Sequence, residues 1–239
     1  MKTIVHKADS RGQVNHGWLQ ANHSFSFANY FDKDKMQFGA LRVLNDDVIA
    51  PKMGFGTHAH DNMEIITIPL SGILKHRDNM HQDWQQVLPG EVQVMSAGTG
   101  VEHSEINGSV DEHLSLFQIW VIPNKQNVEP RYGQKRFQKE DRKNKLQILV
   151  SSIDENHEGS LKINQDATIS RIDLDNGKSF EYQFKNKNHG VYVMTIFGNI
   201  TIENETLELR DAMGISDSEN FVIHANDNSE LLFIEVPLH

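Results

Sequence analysis

Along most of the chain, apolar residues recur with the two-residue period of a strand, whose side chains point alternately to opposite faces. "EVQVMSAGTG" alternates as far as a glycine-rich turn, and "ALRVLNDDVIAP" reads as two short strands around an Asn-Asp-Asp turn. "HLSLFQIWVIP" is almost continuously apolar, the pattern of a strand buried on both faces. Helical periodicity is scarce, and "PRYGQKRFQKEDRKNK" offers room for one or two turns only. Short strands separated by turn signals predict an all-β chain folded as a sandwich or closed barrel.

The same polar segment separates two β-rich halves, which places the domains at 1–135 and 136–239. The halves resemble each other. "EIITIPLSGILKH" is strand, Gly72, strand, and "VYVMTIFGNITIEN" is strand, Gly198, strand. Aligning these glycines sets His58 against Phe184 and His60 against Asn186. A second gapless alignment sets His103 against His224 and Glu105 against Asn226. Tandem barrels are predicted, the first carrying candidate ligands and the second largely without them.

Composition narrows the chemistry. Without cysteine there is no disulfide and no thiolate metal site. A net charge of −10, from 33 acids and 23 bases, argues against gripping nucleic-acid phosphates. The densest basic stretch, 134–145, includes Glu140 and Asp141 and reads as a solvated connector. No apolar run approaches a membrane span and the start has no secretory pattern, so a cytoplasmic location is expected.

Within "GFGTHAHDNMEIITIPLSG", His58 and His60 stand at i and i+2 of a predicted strand. Such residues share a face with Cα atoms about 6.5–7 Å apart. The relation recurs in "EHSE", where His103 and Glu105 are again two apart. On neighbouring strands the two pairs bring three imidazoles and a carboxylate to one cation, at bonds of about 2.1 Å. Nitrogen and oxygen donors suit iron, manganese, cobalt, nickel, copper or zinc. Glu64 is the competing fourth ligand. The chain has 13 histidines, and His6, His81, His157, His189, His224 and His239 read as surface or core groups. Trp18, Phe25, Phe27, Tyr30 and Phe38 are candidate walls for a planar ligand, though alternating Phe25 and Phe27 fit a core strand better.

"HAHDNMEIITIPLSG" and "PGEVQVMSAGTGVEHSEIN" resemble the two cupin motifs, the second closing on His103 and Asn107. More narrowly, "ADSRGQVNHGWLQANHSFSFANYFD", "ALRVLNDDVIAPKMGFGTHAHDNMEI", "MSAGTGVEHSE" and "QIWVIPNKQNVEPRYGQKRF" follow one another as in bacterial pirins. The resemblance runs from residue 1 to about 137 and is general thereafter. It implies a bicupin with one divalent metal, iron first, held in the N-terminal barrel by His58, His60, His103 and Glu105. Glu64 then becomes either a carboxylate that orients a ligand imidazole or a structural one. The resemblance also implies a dioxygenase that opens the flavonol ring of quercetin-like substrates with O2, Glu105 acting as general base. A metal-binding regulator that contacts a partner enzyme or transcription factor is the alternative. Neither nucleic acid nor membrane is an expected partner.

Overall fold

The computed structural model describes residues 1–81 and 83–238, so His239 lies outside the described residues. The described residues form 22 strands and two short 3-10 helices, Ala8–Ser10 and Lys139–Arg142, the latter inside the segment predicted to hold a turn or two of helix. The strands make two seven-stranded and two four-stranded sheets, one large and one small sheet for each half.

In the first half, Leu114–Val121 lies at the centre of the large sheet between Glu64–Ser71 and Leu41–Ile49. The small sheet runs Gly54–His60, Val101–Asn107, Leu74–Asp78, Gln85–Val87. The second half repeats this plan around His189–Phe197 and Ser229–Pro237. The first strand of the chain, Lys2–His6, crosses over and pairs with Ala212–Ser216 in the second large sheet. We propose a division between the barrels at 135/136, with Lys2–His6 as an element lent to the second barrel.

The two large sheets pack against each other. Leu44, Ile66 and Phe117 of the first meet Ile169, Tyr192 and Leu232 of the second in one continuous apolar core. The alternate residues of the same strands face into each barrel, so the Leu114–Val121 run is buried on both sides. Phe117 is fully buried and carries the Arg210 guanidinium 5.0 Å from its ring centre. Phe117→Ala is expected to cost about 3–5 kcal/mol, because the cavity lies between two rigid sheets that cannot collapse. Urea unfolding checks this, and a loss below about 1 kcal/mol contradicts the packing.

The Asn-Asp-Asp turn does not exist. Leu41–Ile49 is one nine-residue strand, and each of the three polar residues has a separate reason to be in it. Asn45 pairs with His23 on one side and Gln118 on the other. Asp46 points to the opposite face, where Arg11 and Arg210 reach it at 3.3 and 3.1 Å. Asp47 faces the first barrel, and burial, then the charges of Asp46 and Glu105, push its carboxyl up to about 8. It is therefore neutral at pH 7, which is what makes it tolerable there.

The repeat alignment also needs correction. In the first small sheet His58 stands opposite His103, and His76 opposite Glu105. At the matching crossings of the second, Tyr182 stands opposite Phe221 and Ile202 opposite Ile223. His224 is out of phase with these, exposed on the outer face and hydrogen-bonded to Ser179 at 2.7 Å. The gapless alignment sets Val92 and Val94, which face the other barrel, against Met213 and Ile215, which face into the second, so it is out of phase before the histidines are reached. Tyr182 stacks on Phe221 and Phe233 at 5.3 and 5.0 Å, so aromatic rings fill the corner that imidazoles occupy in the first barrel.

Candidate metal centre

His58 and His60 project from one face of the edge strand Gly54–His60, and His103 from the adjoining Val101–Asn107. Their strands approach closely: a Cβ on Gly54 would lie 2.1 Å from the Glu105 carbonyl oxygen, so only glycine fits. The Nε2 atom of His103 is 2.9 Å from the Nε2 of His58 and 2.9 Å from the Nε2 of His60. One proton on His103 serves only one of those contacts, whereas a cation serves all three nitrogens. The His58 Nδ1–H donates to the Gly56 carbonyl at 2.8 Å, which leaves its Nε2 with a lone pair. Burial, then the neighbouring His58, pushes His60 down to about 4. Burial, then His58, His60 and His76, pushes His103 down to about 2. His60 and His103 are thus neutral at pH 7, the form in which an imidazole binds a metal.

Glu105 is 3% exposed. Its Oε2 accepts from Gln118 Nε2 at 3.0 Å, while its Oε1 is buried with no hydrogen-bond partner. An unsatisfied buried carboxylate oxygen beside neutral imidazoles fits a cation. Ligand atoms of His58, His60 and His103 form one cluster within 4.8 Å, and those of His76, His103 and Glu105 form another. His103 is the shared member: the three predicted histidines come together in the first cluster, and Glu105 joins His103 in the second. Burial raises Glu105 to about 7, with the hydrogen bond from Gln118 pulling it partway back.

Glu64 is elsewhere. It lies on the face of its strand that looks toward the other barrel, accepting from Ser96 Oγ at 2.6 Å and Asn164 Nδ2 at 3.1 Å. It orients no imidazole and ties the two halves together instead. The period of two explains this, since Glu64 shares its face with Ile66 and Ile68 rather than with Ile65 and Thr67.

Behind the centre, Gln93, Thr67, Gln118, Asn45 and His23 stand opposite one another in succession across the large sheet. Thr67 Oγ1 donates to Gln118 Oε1 at 3.1 Å, which turns the Gln118 amide nitrogen toward Glu105. The corresponding row of the second barrel is Met213, Val193, Phe233 and Ser170. Above the centre, Trp120 meets His60 edge to face at 4.9 Å, and Phe27 meets Trp120 at 5.2 Å.

Among the predicted aromatics, Phe27 thus reaches the wall, and Trp18 approaches it through Phe55 at 5.3 Å. Phe25 and Phe38 pack instead with Tyr192 between the barrels, and Tyr30 covers Gly12. Sequence reasoning missed His76, Gln118 and Trp120. The signal was available: "LKHRD" places His76 and Asp78 two apart, and "HLSLFQIW" places Gln118 and Trp120 two apart. Of the other histidines, His6 bonds the Tyr192 hydroxyl at 2.8 Å, His189 the Glu235 carboxylate at 3.0 Å and His81 the Asp78 carboxylate at 3.2 Å, while His157 is exposed.

Two tandem double-sheet barrels, with an imidazole-and-carboxylate cluster in the first, define a bicupin. A family model described as Pirin matches residues 5–121, and one described as Quercetinase C-terminal cupin domain matches residues 149–236. The chain belongs to the pirin family. It is 43% identical over 233 residues to a quercetin 2,3-dioxygenase of Escherichia coli O157:H7, covering 98% of both chains. It is 39% identical to a pirin-like protein of Caulobacter vibrioides, covering 95% of this chain and 96% of that one. The crystal structure of the bacterial pirin YhhW from Escherichia coli, in complex with nickel(II), superposes with a TM-score of 0.92 at 41% identity, covering 99% of both chains. Among the described residues no helix is long and apolar enough to cross a membrane.

Proposed function

We propose that the protein is a mononuclear metal-dependent dioxygenase that opens the flavonol ring of quercetin-like substrates with O2. The observation that carries this reading is the approach of His103 Nε2 to the Nε2 atoms of His58 and His60, at 2.9 Å each, beside a buried carboxylate with an unpartnered oxygen. Kinship over nearly the whole chain with a protein named quercetin 2,3-dioxygenase supplies the substrate class.

His58, His60, His103 and Glu105 are the proposed ligands of one divalent transition metal, with iron the first expectation. When bound, the metal supplies Lewis acidity toward the flavonol hydroxyl and a route for electrons to dioxygen. The chain's own residues do the rest. Glu105, whose Oε1 has no partner in the protein, is the carboxylate placed to take the hydroxyl proton. Gln118 fixes the Glu105 carboxylate through its amide nitrogen, itself set by Thr67. Trp120 and Phe27 offer an apolar wall against which a planar ring system lies and from which water is excluded.

The test is aerobic incubation of the iron-loaded protein with quercetin. Metal-dependent loss of the flavonol absorbance with release of carbon monoxide is expected. Absence of turnover with iron, nickel, cobalt and manganese alike would sink the proposal.

A further inference from the structure

We propose that His76 is a positioning residue for this centre: with Asp78 behind it, His76 fixes His103 in the tautomer whose Nε2 lone pair faces the metal. The inference rests on the reading of His58, His60 and His103 as metal ligands.

Leu74–Asp78 runs beside Val101–Asn107, bringing Asp78 opposite His103 and His76 opposite Glu105. His76 is fully buried and Asp78 is 5% exposed. Asp78 is itself held, because its Oδ1 accepts from the backbone N–H groups of Met80 and His81 at 2.9 and 2.6 Å. Its Oδ2 accepts from His76 Nε2 at 2.9 Å. Burial alone would raise the Asp78 carboxyl, but the hydrogen bonds from His76 and His81 win and hold it below its ordinary value. As a carboxylate it only accepts, so the His76 proton sits on Nε2 and Nδ1 carries a lone pair. That Nδ1 faces His103 Nδ1 at 3.5 Å. Two lone pairs there would repel, so the His103 proton belongs on Nδ1. Its Nε2 is then free toward His58 and His60. The Tyr132 ring lies against His76 at 5.3 Å with a 30° interplanar angle and keeps the His76 plane in place.

A second observation separates this role from a purely structural one. The second barrel builds the same corner from Ile202, Ile223 and Phe221. The fold therefore has no need of a buried histidine–aspartate pair, whose desolvation is costly. At this corner the pair accompanies the imidazoles, and where they are replaced by apolar groups it is replaced as well. Such outer partners of metal-bound histidines typically change metal affinity about 10- to 100-fold.

Ring-nitrogen correlation spectra of the zinc-loaded protein read the tautomers directly. Protons on His76 Nε2 and His103 Nδ1 are expected, and the reverse assignment for His103 would overturn the inference. Independently, His76→Leu should weaken cobalt(II) binding about 10- to 100-fold in chelator competition and alter the cobalt absorption bands. The unfolding temperature of the metal-free variant should not fall. His76→Gln, whose amide oxygen accepts the His103 proton, should restore most of the affinity. Wild-type affinity and spectrum in His76→Leu overturn the inference while leaving the metal centre intact. Failure of the wild-type protein to bind either metal overturns the centre, and this inference with it.

Discussion

Glu105→Ala is expected to lower flavonol turnover by about 10²- to 10⁴-fold, the range associated with loss of a general base. It should also release metal, because the carboxylate whose Oε1 has no partner in the protein is the proposed oxygen donor of the set. Glu64→Ala is the informative counterpart. Both are acids of cupin-like motifs and both are buried, and the motifs alone weigh them nearly equally. Their surroundings differ completely: Glu64 is bonded to Ser96 and to Asn164 of the second half, on the far side of the sheet from the histidines. Glu64→Ala should therefore keep metal and turnover while losing about 1–3 kcal/mol of stability from its stranded partners. Metal content, turnover and urea unfolding of the two variants decide the matter. Equal loss of metal in both would show that the two acids have been assigned the wrong roles.

Asp46→Ala should be among the most destabilising substitutions outside the apolar core. Asp46 lies between the barrels and holds Arg11 and Arg210 at 3.3 and 3.1 Å through one oxygen. Arg11 comes from the N-terminal segment that crosses to the second barrel, and Arg210 from the second half itself. Removing the carboxylate leaves two guanidinium groups facing each other in a poorly solvated interface. Breaking one partner of a buried ion pair costs about 3–5 kcal/mol. The loss should appear in urea unfolding at low and high salt alike, because a buried pair is poorly screened. A loss under about 1 kcal/mol would mean that the arginines find other partners or water. Asp46→Asn, which keeps one acceptor, should fall between.

The same residue shows where the sequence stops being legible. Period-two alternation identified most of the strands, and the i, i+2 spacing marked His58 and His60, which cluster with His103, and Glu105, which clusters with His103 and His76. Asn45, Asp46 and Asp47 failed as a strand because their partners are distant: Gln118 and His23 in the sheet, Arg210 across the interface. Three consecutive polar residues signal a turn unless those partners are known. The match of His103 with His224 failed for a related reason, since an alignment off by an odd number of residues sets every side chain against one of the opposite face. His76 was overlooked because it stood with Asp78 in a strand that carries no motif, although its spacing repeats that of the ligand pairs. Which acid faces the histidines was readable from alternation alone. Glu64 is in phase with Ile66 and Ile68 of the interface, and Glu105 is in phase with His103.

The central claim is that one metal ion is held in the first barrel by imidazoles that meet at His103. Metal per chain, measured by elemental analysis after loading and removal of excess ion, tests it most directly in the wild type and in His103→Ala. One ion per chain is predicted for the wild type and essentially none for His103→Ala. Wild-type stoichiometry in His103→Ala, or no bound metal in the wild type, would contradict the account.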